Sequence, residues 1–156
     1  MRIVPLPPNA DLEHLLSGLT QREVKVKAAE GAPRAPSAVA LYRTDAPVIE
    51  VAALFDLELA GSLAAALTLV PAGAVREGVA AGALEESLQQ NLAEVMNVLS
   101  RFVSMSGRRF ALVGTWCPPG MADPAVMQAA LAADETRTVA VEVPGYPGGM
   151  LTFNTL

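Results

Sequence analysis

The sequence predicts one α+β domain spanning 1–156, an antiparallel or mixed β-sheet backed by a long helix and shorter helices. Three observations carry this reading. Several segments alternate apolar and polar residues with a period of two. One segment, Ala83 to Met105, carries a continuous apolar stripe at helical spacing. The strand segments are joined by hairpin-type turns rather than by regular βαβ crossovers, and the length of 156 residues suits one compact domain.

Asp11 to Leu19 places Leu12, Leu15, Leu16 and Leu19 on one helical face, with Asn9 or Asp11 available as a cap and Gly18 near the end. Arg22 to Ala28 then alternates charge with apolar or small residues, so it reads as a strand with a wet face. Gly31 to Ser37, holding Pro33 and Pro36, reads as a loop, and Ser37 to Arg43 as a second strand. From Val48 to Leu59 one parity is apolar throughout (Ile49, Val51, Ala53, Phe55, Leu57, Leu59), which predicts a long strand. In Gly61 to Val70, alanine content favours helix, whereas Leu63, Ala65, Leu67 and Leu69 alternate with Ala64, Ala66 and Thr68. Read by that alternation, Ala60-Gly61 is a hairpin turn and Ser62 to Val70 a strand.

Pro71 suits the first turn of a short helix over Ala72 to Ala80, ending near Gly82. The long helix follows, with Leu84, Leu88, Leu92, Val95, Leu99 and Phe102 forming its stripe and Gly107 its stop. Arg109 to Thr115 reads as a strand, Cys117 to Gly120 as irregular, and Pro124 to Ala133 as a small helix capped by Asp123. Thr138 to Val143 and Met150 to Thr155 form a closing hairpin around a Pro-Gly-rich turn.

Composition narrows the function. Hydrophobic types make up 52% and charged types 17%, too apolar for a disordered chain, and 28 residues are alanine. A net charge of -5, with Arg108-Arg109 as the largest basic grouping, argues against a nucleic-acid partner. The longest uncharged stretch, Leu59 to Val75, is short for a spanning helix and is broken by Gly61, Pro71 and Gly73, so no membrane partner is expected. Met1 to Asn9 lacks an apolar signal core. The one cysteine, Cys117, allows no internal disulfide, and the one histidine, His14, allows no His-paired metal site. A soluble cytoplasmic protein without a metal of its own is the expectation.

Conventional catalytic motifs are missing. Gly145 to Gly149 lies between strands rather than before a helix, so it is no phosphate loop. His14 sits among leucines, and Cys117 has no neighbouring base in sequence to activate it. The remaining feature is the polar side of the long helix, where Gln90, Glu94, Asn97 and Arg101 step by four, three and four along one face. The simplest account is a solvated surface. The alternative is that a carboxylate and an amide, held one turn apart, project together into another molecule's site, where the amide can both donate to and accept from a water.

The stretch Ala83 to Ser100, ALEESLQQNLAEVMNVLS, resembles the active-site helix of the CheC/CheX/FliY family of chemotaxis phosphatases. The family pattern is Asp or Ser, three residues, Glu, two residues, Asn, with a proline further on. Glu94 and Asn97 match its Glu and Asn. Gln90 stands where the family has Asp or Ser, Pro118 and Pro119 come slightly ahead of its proline, and Arg101 follows where a glycine is frequent. The order of elements also resembles a single-motif CheX-like, CheC-fold domain, and it likewise implies a strand after the Gly61 turn.

The resemblance implies a phosphatase acting in trans on the aspartyl phosphate of a response-regulator receiver domain. Asn97 would orient the attacking water and Glu94 would dock on a receiver lysine, with Gln90 and Arg101 as further docking residues. Mg²⁺ would come from the receiver partner, so this chain would need no cofactor. A homodimer is implied as well. Two alternatives stay open: a non-catalytic CheC-like binding module for a receiver or flagellar partner, favoured by Gln90 and the displaced prolines, and an unrelated α+β protein whose helix face is merely solvated.

Overall fold

The computed structural model describes residues 4–31 and 37–156. The elements run α1 (Asn9–Thr20), β1 (Lys25–Ala29), β2 (Ser37–Arg43), β3 (Val51–Asp56), α2 (Leu57–Leu67), α3 (Ala72–Ala81), α4 (Glu86–Ser104), β4 (Ala111–Trp116), α5 (Pro124–Leu131), β5 (Glu135–Glu142) and β6 (Gly149–Thr155). The strands form one six-stranded sheet in the order β1-β5-β6-β3-β2-β4. Every neighbouring pair is antiparallel, which settles the sheet type. The predicted loop from Gly31 to Ser37 falls almost wholly outside the described residues.

Alternation along the central strands divides the core in two. Val51, Ala53 and Phe55 of β3 join Leu151 and Phe153 of β6 and the buried faces of α1, α2 and α4 in the main core. The rings of Phe102 and Phe153 meet at 5.3 Å, fastening α4 to β6. Ala52 and Leu54 point the other way, with Val39 and Leu41 of β2, onto Ala130, Val126 and Met127 of α5. Every residue of β3 is therefore buried, because both faces of this strand are covered. The alternation read for β1 holds from Val24 to Lys27, with Val24 and Val26 buried and Lys25 and Lys27 exposed, but the strand starts at Lys25 and Ala28 is exposed.

The segment after β3 is the main correction. The predicted long strand stops at Asp56, and Leu57–Leu67 is a helix rather than a turn followed by a strand. Asp56 is its N-cap: one carboxylate oxygen accepts from Leu59 N at 2.9 Å, while the other accepts from Met150 N at 2.9 Å. The turn between β5 and β6 holds the helix further. Gly148 N donates to Ser62 Oγ at 3.0 Å, and the Tyr146 hydroxyl donates to Val70 O at 2.6 Å. Gly61 makes no turn. It lies where α3 passes so close that a Cβ would sit 2.8 Å from Val75 Cγ1. Nine residues of α2, from Leu57 to Ala66, are buried, so no polar face exists to reveal a helical period.

Smaller differences concern ends. Helix α1 starts after Pro8 without a side-chain cap and stops at Gln21 in the left-handed region, with Gly18 still inside it. Helix α4 begins at Glu86 rather than Ala83. Gly82 closes α3 at φ 72° and Asp123 caps α5, both as read.

One buried charge lies near the end of β2. Glu50 is 5% exposed, accepts from the Thr44 hydroxyl at 2.8 Å, and pairs with Arg108 at 2.8 Å. Burial pushes its carboxyl up, but the Thr44 hydrogen bond and the Arg108 guanidinium outweigh this and hold it below the ordinary 4.5. A depressed folded-state pKa gives a contribution that is complete above the unfolded value and disappears as pH falls through the folded one. Thermal unfolding followed from neutral pH downward should therefore show the native chain losing more stability below about pH 4.5 than Glu50→Gln does. Parallel curves for the two proteins would show that Glu50 is not so stabilised.

Candidate functional site

Helix α4 is the element on which the predicted site residues converge. Leu88, Leu92, Val95, Met96, Leu99, Phe102 and Val103 are buried along one side. At about 100° per residue the opposite side is shared by Gln90, Glu94, Asn97 and Arg101, which all fall within roughly 60° of arc. All four are exposed. No described residue bonds the side chain of Gln90, Glu94, Asn97 or Arg101, so the carboxylate and the amide stand free, one turn apart. The burial that sets the stripe against the core thus turns the polar face outward, as the spacing requires.

The helix under these residues is fixed from several sides. Asn91, one turn before Glu94, donates through Nδ2 to Ala64 O at 3.1 Å and to Thr68 Oγ1 at 2.8 Å, tying α4 to the end of α2. Tyr42 of β2 is wholly buried and donates its hydroxyl to Met96 O at 2.6 Å, directly before Asn97. Burial raises the Tyr42 pKa well above its ordinary value, so this donor keeps its proton at every physiological pH. Ser100 Oγ donates to Asn97 O at 2.6 Å. Asn91 and Tyr42 were not singled out by the sequence reading. An amide just outside the apolar stripe was the one available signal for Asn91, and nothing local marks Tyr42.

The other singled-out residues do not join the face. Pro118 O accepts from Leu84 N at 3.2 Å, so the two prolines sit at the start of α4. That is on the order of 15–20 Å along the helix axis from Asn97. Cys117 is half-buried, and burial pushes its thiol up to about 11, which leaves it protonated and a poor nucleophile. His14 is exposed on α1, where it lines a shallow groove with Leu15, Gly18, Leu19, Val98 and Arg101. Arg101 thus borders both the polar face and the α1/α4 groove. Among the described residues no group of three or more His, Cys, Asp or Glu could hold a metal ion, and no helix is long and apolar enough to cross a membrane. What the face can do chemically is dock and orient. A carboxylate and an amide on a rigid helix offer one charge and a donor-acceptor pair, with no group suited to covalent attack.

No family model matches this chain, and no curated protein matches it in sequence. Solved structures do match in fold. FliM from H. pylori, in its complex with SpeE, superposes with a TM-score of 0.64 at 9% identity, over 94% of this chain and 80% of that one. FliM in the H. pylori FliG-FliM complex gives 0.63 at 6% identity, over 94% and 85%. The chemotaxis protein CheX from Vibrio vulnificus gives 0.53 at 13% identity, over 94% of each chain. The chain therefore has the CheC-like α+β fold, the fold that its element order and long helix resemble.

Proposed function

We propose that this CheC-fold chain acts in trans on a response-regulator receiver domain, docking through the exposed face of α4 and promoting hydrolysis of the receiver's aspartyl phosphate. The observation that carries the reading is the free, outward placement of Glu94 and Asn97 on a helix locked from beneath. Glu94 would pair with a lysine of the receiver and set the docked register. Asn97 would then enter the receiver's site and hold a water in line with phosphorus, its amide oxygen accepting a hydrogen bond from that water while its N–H groups donate to neighbouring oxygens. The receiver supplies the Mg²⁺ that screens the phosphoryl charge, so the chain contributes position rather than a nucleophile or a metal. Gln90 and Arg101 extend the contact along the same face. The action would be cytoplasmic, with the chain paired as a homodimer that leaves α4 uncovered.

A second reading keeps the docking and drops the chemistry. Gln90 replaces the shorter Asp or Ser of the motif, and the prolines sit at the far end of α4 from Asn97. On that reading the chain is a binding module, and the solved FliM complexes with FliG and SpeE illustrate that the fold serves protein-protein contact.

The test is the lifetime of aspartyl phosphate on receivers from the same organism, with and without the chain. The proposal expects a shortened lifetime for at least one receiver. Binding without acceleration would select the second reading, and no binding to any receiver would end both.

A further inference from the structure

The two edges of the sheet are built differently. The β1 edge carries Lys25 and Lys27, both exposed, with Lys27 in an ion pair to Glu142 at 3.5 Å. Exposed lysines are a common way to keep another strand from adding to an edge. The β4 edge, ALVGTW, has no charge and no proline. It bonds β2 on one side, and among the described residues nothing bonds its outer side. Ala111, Val113 and Thr115 are exposed along it. The Trp116 ring lies across Gly114, where a Cβ would come within 2.8 Å of the indole, and the pairing with β2 shifts register between Gly114 and Leu112, so Val113 bulges from a partly apolar edge.

At the N-terminal end of this edge lies an open hollow of about 950 Å³. Arg43, Arg108 and Arg109 line it, with Ala111 and Val113 of β4 on its floor. Three arginines are thus gathered in one place on a chain of net charge -5. Arg108 is held firmly by buried Glu50 and lies 5.3 Å from the centre of the Phe110 ring. Arg43 and Arg109 are exposed, with no carboxylate within ion-pair distance among the described residues, while Asp45, which also lines the hollow, leaves it net positive.

We propose that β4 and this arginine hollow together form a second binding site, at which an extended acidic segment of a partner protein adds to the sheet. Main-chain hydrogen bonds to the free edge would supply affinity, and carboxylates placed against Arg43 and Arg109 would set direction and register. The site lies on a different element from the α4 face and does not depend on the receiver reading.

The experiment is fluorescence anisotropy of labelled peptides of about ten residues, long enough to cover the strand. One alternates Glu with Val and Thr, a second has Lys in place of Glu, and a third has proline at its centre. The acidic peptide should bind, and the lysine and proline peptides should bind at least about tenfold more weakly. The Arg43→Glu, Arg109→Glu double variant, shown by circular dichroism to be folded, should lose about tenfold in affinity for the acidic peptide. Asn97→Ala should leave that affinity unchanged. Equal binding of the acidic and basic peptides, or no binding, would overturn the proposal. So would sedimentation showing that the edge is already taken by a second copy, with Val113→Lys yielding a monomer.

Discussion

Asp56→Ala should cost about 2–4 kcal/mol of stability. One carboxylate oxygen caps α2 at Leu59 N and the other accepts from Met150 N at the start of β6, so a single side chain joins helix to sheet. Removing it leaves both N–H groups without that acceptor in a buried region, where Asp56 is 6% exposed. Gly149→Ala should damage the same joint from the other side, since a Cβ there would collide with Asp56 Oδ1 and lie 2.9 Å from Leu59 N. The two effects share partners and should not add: Gly149→Ala should cost less in an Asp56→Ala background than alone. Denaturant midpoints of the two single variants and the double variant measure this directly. Additive losses would mean that the clash at position 149 is not with the cap.

On the α4 face, two substitutions should separate docking from chemistry. Asn97→Ala should reduce the acceleration of receiver dephosphorylation on the order of a hundredfold, with little change in affinity, because positioned polar groups act chiefly in the transition state. Glu94→Lys should weaken receiver binding about tenfold or more by placing like charges in contact, and should recover activity at high chain concentration. Both side chains are exposed and bond no described residue, so unfolding should not confuse the result. The opposite assignment, with Asn97→Ala lost in binding and Glu94→Lys lost only in rate, would reverse the roles proposed for the pair.

How much of this was legible in the sequence differs by element. Helix α4 and its polar face were, because an apolar stripe against charged residues produces a strong period of 3.6, and only burial of that stripe satisfies it. Strands β1, β2, β4, β5 and β6 were also found, although their ends shifted by a few residues. Helix α2 was not, for a physical reason. Its leucines and alanines are buried on nearly every side, so alternation of Leu with Ala carried no information about which side faced water. The useful signal was Asp56, which the parity argument placed on a strand face although Asp followed by Glu58 is a helix start. The resemblance strengthened the same error, since it implied a strand after Gly61.

The site divides in the same way. Glu94 and Asn97 needed only local spacing to be placed on one exposed face. Their supports needed tertiary structure: Tyr42 reaches Met96 O from a strand 54 residues away, and Asn91 reaches the end of α2 across 27 residues. The arginine hollow was half visible, with Arg108-Arg109 noted as a pair. Arg43 joins them only because β2 and β4 are neighbours, with Arg43 opposite Ala111.

Helix α4 is the surface proposed to meet a receiver. The most direct measurement is the change in backbone amide signals of the chain when a phosphorylated receiver is added. Docking through α4 should give changes centred on Gln90, Glu94, Asn97 and Arg101, with the β4 edge unaffected. Changes centred elsewhere, with α4 undisturbed by any receiver of the organism, would contradict it.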